Sequence, residues 1–304
     1  MKNRLSAACL VFVAATFAHA RPPVLPTSAT PAGTPPGATP APAAQEIAAA
    51  AVERTGLLPE DLVLLDDARH KWQHLQTAHF VLHHDQKMFA AKVARLGEQF
   101  YAAISADLPN LRDRISPARS HVFIFRDPQE WKAIVAATPG METWAASFVR
   151  NQAMYLQETG TAVADKMDTL AHEMTHLVFN RFLTVRLPLW LNEGLAEYYG
   201  EFAYRAAKGM GQSRSNAFRP LRRWTPLAEL LAAADYPADP EEVSRFYATS
   251  KYLVGYLLLK QPREKWDAFF GRVLAGEPAL PALLETYGWA DVAAAEKAFA
   301  QFAR

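Results

Sequence analysis

The residue pattern changes once along this chain, and the change limits the folds open to it. Up to about residue 160, strand-like runs alternate with helical periodicity; from Thr161 onward the apolar spacing is helical to the end. His79-Phe80-Val81-Leu82-His83 and His121-Val122-Phe123-Ile124-Phe125 read as strands. Between them, Phe89, Val93, Leu96, Phe100 and Ile104 stand three to four apart, which predicts a helix over 87–107. Asp127-Pro128 ends the second strand and starts a helix over 129–137, and Asn151-Gln152 joins runs 144–148 and 153–157 as a hairpin. A short helix is expected over 46–55. In the second half, Pro188, Pro220, Pro226, Pro240, Pro262 and Pro281 are expected to interrupt the helices. Strands with helices first, then helices alone, predict an α+β chain: a mixed lobe over 45–160 and a mainly α-helical lobe over 161–304. Pockets often form at such joins.

The folded part is expected to begin near Gln45. Ahead of it, Lys2 and Arg4 precede an apolar run from Leu5 to Phe17, and Ala18-His19-Ala20 offers small residues at a cleavage point. This reads as a secretory signal peptide over 1–20, which places the mature protein in the periplasm or outside the cell. Residues 21–44 alternate Pro, Ala, Thr and Gly without periodicity, as in Pro31-Ala32-Gly33-Thr34-Pro35-Pro36, and read as an extended linker. Loss of Lys2 and Arg4 takes the formal charge from +1 to −1. A near-neutral chain has no global attraction for nucleic acid, and no internal run is apolar for long enough to predict a membrane span. The single cysteine, Cys9, lies in the leader, so Cys-ligated metals, disulfides and thiol nucleophiles are excluded from the mature protein.

The chemistry-bearing residues lie just past the change of pattern. His172-Glu173-Met174-Thr175-His176 is an H-E-x-x-H arrangement. Residues four apart on a helix stand one above the other, so His172 and His176 can offer two imidazole nitrogens to one ion about 2 Å away. Met167, Leu170, Ala171, Met174, Leu177 and Val178 fall on the opposite face. The expectation is a helix anchored by that face, with both histidines lining a cleft. Glu173 points in a third direction, beside the metal, where it can take a proton from an activated water.

A catalytic zinc takes three protein ligands and a water. After Pro188 the chain reads Trp190-Leu191-Asn192-Glu193-Gly194-Leu195-Ala196-Glu197-Tyr198. With the H-E-x-x-H run, this resembles the gluzincin metallopeptidases, also called the peptidase MA-like superfamily. The resemblance implies a zincin-like fold over 45–304 with the metal cleft between its lobes, and one Zn2+ per chain. It makes Glu193 the third ligand and Glu197 the carboxylate that hydrogen-bonds the outer nitrogen of a histidine ligand. It also implies a tyrosine or histidine from the helical lobe that steadies the oxyanion. Tyr247, in Phe246-Tyr247-Ala248-Thr249-Ser250-Lys251-Tyr252-Leu253, is the candidate, with Tyr252 and Tyr256 as the other options. Glu173 becomes the general base. The implied activity is hydrolysis of peptide or protein substrates. A binding module that has kept the fold, and a zinc hydrolase of a non-peptide amide, stay open beside it.

The resemblance is strong over 162–200 and weak over 77–300. Gly140-Met141-Glu142-Thr143-Trp144 resembles the G-A-M-E-N strand of zinc aminopeptidases with one residue missing and Thr143 in place of the asparagine. The hairpin around it is a candidate cleft edge for an extended peptide. His70, His74, His79, His83 and His84 cluster in sequence; His79 and His83 are expected to share a strand face, either as exposed residues or as part of a second metal site. Arg214, Arg219, Arg222 and Arg223 form a basic loop, read as solvated or as favouring an acidic substrate. Ser147 lies in no nucleophile motif. Nothing in the sequence sets the oligomeric state.

Overall fold

The computed structural model describes residues 44–108, 116–138, 141, 145–158, 167–181, 183, 185–210 and 218–304. The expected leader, the linker up to residue 43, the Gly140–Trp144 run apart from Met141, and Arg214 lie outside them. The chain mixes α and β structure around one mixed sheet, and it divides into two compact units, one ending at Arg181 and one beginning at Phe182.

The first unit is built on a six-stranded sheet. Its strands are β1 (Gln45–Ile47), β2 (Gln73–Gln76), β3 (Phe80–His84), β4 (Ser120–Phe125), β5 (Ser147–Arg150) and β6 (Ala153–Gln157), in the order β1-β2-β3-β4-β6-β5. β3 pairs with β4, and β4 with β6, in parallel; the remaining pairs are antiparallel. Among the described residues four helices accompany it: α1 (Pro59–Asp66), α2 (Lys87–Ala106), α3 (Pro128–Ala137) and α4 (Met167–Phe179).

Period-2 alternation sorts the layers. Phe123 and Phe125 of β4, Phe148 of β5 and Tyr155 of β6 pack with Leu64 of α1 and with Trp131 and Val135 of α3. On the other face lie α2 and α4. Gly97 of α2 lets them close up: a Cβ there would stand 3.2 Å from the Met174 side chain and 3.3 Å from Phe80. The end of α4 is fastened by Arg181, whose guanidinium donates to the carbonyls of His79 (3.1 Å) and Ser116 (2.7 Å).

The second unit is helical throughout its described residues: α5 (Leu189–Ala207), α6 (Leu227–Ala232), α7 (Pro240–Leu259), α8 (Arg263–Leu274), α9 (Ala279–Tyr287) and α10 (Val292–Ala303). Here the prolines start helices more than they break them. Pro188, Pro226 and Pro262 stand just before α5, α6 and α8, and Pro240 opens α7 behind Asp239, whose carboxylate accepts from Glu241 N (2.9 Å) and Glu242 N (3.0 Å). Pro281 lies inside the first turn of α9, where a missing N–H has no intrahelical partner to lose, so the expected interruption does not occur. No helix among the described residues is long and apolar enough to cross a membrane.

The strands and helices expected over 79–83, 87–107, 121–125, 129–137 and the hairpin at Asn151 are present to within a few residues. The helix expected over 46–55 is not. Residues Gln45–Ile47 form edge strand β1, with Glu46 opposite Leu75 of β2, and a 3-10 turn follows at Ala49–Ala51. Backbone pairing with an open sheet edge outweighs the helix propensity of a short alanine run.

Candidate metal centre

Every residue of α4 from Leu170 to Phe179 is buried. The apolar set expected to anchor the helix, Leu170, Ala171, Met174, Leu177 and Val178, is inside, but so are the histidines. His172 is 7% exposed and His176 2%. Their Nε2 atoms stand 3.1 Å apart, with the rings edge to face. Two ligands on a tetrahedral ion at 2.0–2.1 Å stand about 3.3 Å apart, so the two imidazoles are spaced as a chelating pair.

Glu193 sits in the second turn of α5. Pro188 starts that helix, and Trp190, stacked on Phe269 with ring centroids 6.4 Å apart, holds its first turn. The carboxylate is fully buried, and its Oε1 accepts from Asn192 Nδ2 (3.1 Å) and Tyr236 Oη (2.8 Å). His172, His176 and Glu193 each bring a ligand atom, and these atoms lie within 4.8 Å of one another, close enough to hold a metal ion. Two neutral nitrogens and one carboxylate form a donor set suited to a divalent ion of borderline softness.

Glu173 is buried on the same helix. Ser147 Oγ, from edge strand β5, donates to its Oε1 at 3.3 Å. Sequence reading gave Ser147 no role, because its only link to Glu173 is the packing of α4 across β5.

Tyr247 of α7 stacks on Tyr236, with ring centroids 5.8 Å apart and planes 20° apart. Burial pushes its phenol well above the usual range, and the nearby Glu193 carboxylate and Tyr236 push the same way. Tyr247 therefore keeps its proton at neutral pH. Glu197, one turn beyond Glu193, is half-buried and adds to the field on Tyr247. Of the other tyrosine options, Tyr252 donates to the Arg219 carbonyl at 2.5 Å, and Tyr256 accepts from Gln261 at 2.9 Å. Arg222 and Arg223 are exposed beside a groove that includes Trp224 and Pro237.

Tyr236 and Asn192 are the residues that sequence reading missed. Asn192 was visible within the Trp-Leu-Asn-Glu-Gly run without a role of its own. Tyr236 lies in the loop between α6 and α7, 43 residues from the carboxylate it touches, where no spacing rule connects them.

No protein-family model matches this chain, and no curated protein matches it.

Proposed function

We propose that this chain is an exported zinc metallopeptidase of the gluzincin type, with a zincin-like fold. One observation carries the reading: His172, His176 and Glu193, singled out by two separate motifs, bring their ligand atoms to within 4.8 Å of one another. These three residues would hold the ion. Zinc bound there supplies Lewis acidity and lowers the pKa of a water to about 7.

The remaining work falls to the chain's own side chains. Glu173 accepts the proton of the attacking water and returns it to the leaving amine. Ser147 holds one oxygen of that carboxylate, which directs the other toward the reaction. Tyr247, protonated, donates to the oxygen that gains charge as the substrate carbonyl becomes tetrahedral. Tyr236 and Asn192 hold Glu193 in one rotamer.

The test pairs metal content with turnover. Glu173→Gln should retain about one zinc per chain and lose roughly 10²- to 10⁴-fold in peptide cleavage, the usual worth of a general base. Glu193→Ala should lose metal as well as activity. Full activity in Glu173→Gln overturns the mechanism, and unchanged metal content in Glu193→Ala overturns the ligand set. A wild-type chain that takes up no zinc at neutral pH overturns the peptidase reading.

A further inference from the structure

On the sheet face that packs against α1 and α3, away from α4, three histidines form a chain. His74 of β2 stands directly opposite His83 of β3, with their Nδ1 atoms 2.9 Å apart. His83 Nε2 is 2.9 Å from Nδ1 of His121 on β4, and those two rings are stacked at 5.2 Å. His83 and His121 are fully buried and His74 nearly so. The chain crosses three adjacent strands, and His121 Nε2, at its inner end, has no hydrogen-bond partner among the described residues. The face expected to join His79 to His83 does not form: His79 instead binds Glu98, with Nδ1 to Oε2 at 2.7 Å.

Proton counting limits the charge that this arrangement can carry. A neutral imidazole has one donor and one acceptor, so three in a row satisfy both contacts whichever way the donors run. One added proton can sit on any of the three rings with both contacts kept, but it places a cation among buried strands, away from water. A second proton sets N–H against N–H at 2.9 Å and breaks a contact.

The charged groups around the chain do not offset that cost. Asp61 of α1 favours the charged form of His121, but burial outweighs it, and its carboxylate already accepts from Arg150 Nη2 of β5 (2.6 Å) and from the Tyr155 hydroxyl of β6. His70, stacked on Trp72 above the chain, is paired with Glu130 of α3 at 2.7 Å. Glu46 of β1 is paired with Lys87. His84, the neighbour of His83 on the other face of β3, adds only repulsion toward His83.

We propose that the His74–His83–His121 chain is an acid-sensitive latch across β2, β3 and β4, closed when all three rings are neutral and opened when they take up protons. The proposal is independent of the metal centre. Burial lowers the pKa of all three: His83 well below the usual imidazole value, His121 to about 4, and His74 below its ordinary value. The unfolded rings titrate near 6.5. The unfolded or opened chain therefore binds more protons in mild acid. The stabilisation is whole above about pH 6.5 and is lost as pH falls from there toward 4.

The test is hydrogen exchange by mass spectrometry on the full chain between pH 7.5 and 5, corrected for the intrinsic pH dependence of exchange. The expected result is a loss of protection over 73–84 and 120–125 below pH 6. The opening constant should rise by up to about tenfold per pH unit for each ring that takes up a proton. Peptides over α4 report any loss of the metal helix separately. In His83→Gln the dependence should flatten by at least one proton. If that variant does not fold, His74→Gln, nearer the surface, serves the same purpose. Unchanged protection of these strands at pH 5 in the wild type overturns the proposal, as does a variant that keeps the full pH dependence.

Discussion

At Glu193 two donors share one oxygen. Asn192 and the Tyr236 hydroxyl both reach Oε1, which stops the carboxylate from turning inside a fully buried site. Partners of this kind orient a ligand and raise its basicity, and their loss typically costs about 10- to 100-fold in metal affinity. Tyr236→Phe keeps the ring that stacks on Tyr247 and removes only the hydroxyl. The expected outcome is zinc binding weakened by about that factor, measured by competition with a chromophoric chelator, with little change in melting temperature. Equal affinity would assign the hydroxyl to packing alone. The three candidate ligands were legible because helical geometry ties His172 to His176 and a recognisable run surrounds Glu193. Tyr236 was not, because a loop residue reaches its partner only through the tertiary fold.

Elements read well from the sequence where one period dominates. Helix α2 has an unbroken apolar stripe, and Asp127-Pro128 writes a cap and a first turn into α3, whereas Pro240, expected only as an interruption, opens α7 behind Asp239. They read poorly where pairing decides, as in β1 and β2, which are short and polar and exist because a neighbouring edge is open. The close approach of α5 and α7 belongs to the same class. It is permitted by Gly194, where a Cβ would lie 2.6 Å from the Ser250 carbonyl oxygen. Gly194→Ala should push the two helices apart at a cost of about 1–3 kcal/mol, offset by up to ~1 kcal/mol of better helix propensity. A fall of several degrees in melting temperature is expected, and an unchanged melt would mean that α7 yields freely. Asp239→Ala removes the carboxylate that accepts from two backbone N–H groups at the start of α7 and should cost about 1 kcal/mol in equilibrium denaturation.

For the molecule as a whole, a bound ion acts on stability by mass action. An ion that binds only the folded chain stabilises it by about 4 kcal/mol when present at a thousand times its dissociation constant. Chelation should therefore lower the melting temperature, and zinc should restore it. The Glu193→Ala chain should melt alike with and without zinc. The mixed first part and helical remainder were readable from the change of period near residue 160. The alignment of His74, His83 and His121 was not, because it depends on the pairing order and register of three strands. The Asp61 network also bears on how the chain acquires its fold. Asp61 is buried in α1, yet its partners Arg150 and Tyr155 lie 89 and 94 residues later. Closing so wide a loop is slow compared with forming a local hairpin. A chain made from its N-terminus has completed α1 long before the β5–β6 hairpin exists to neutralise that carboxylate. Until then α1 can meet only the β4 and α3 side of its seat, and the Asp61 carboxylate lacks both of its partners.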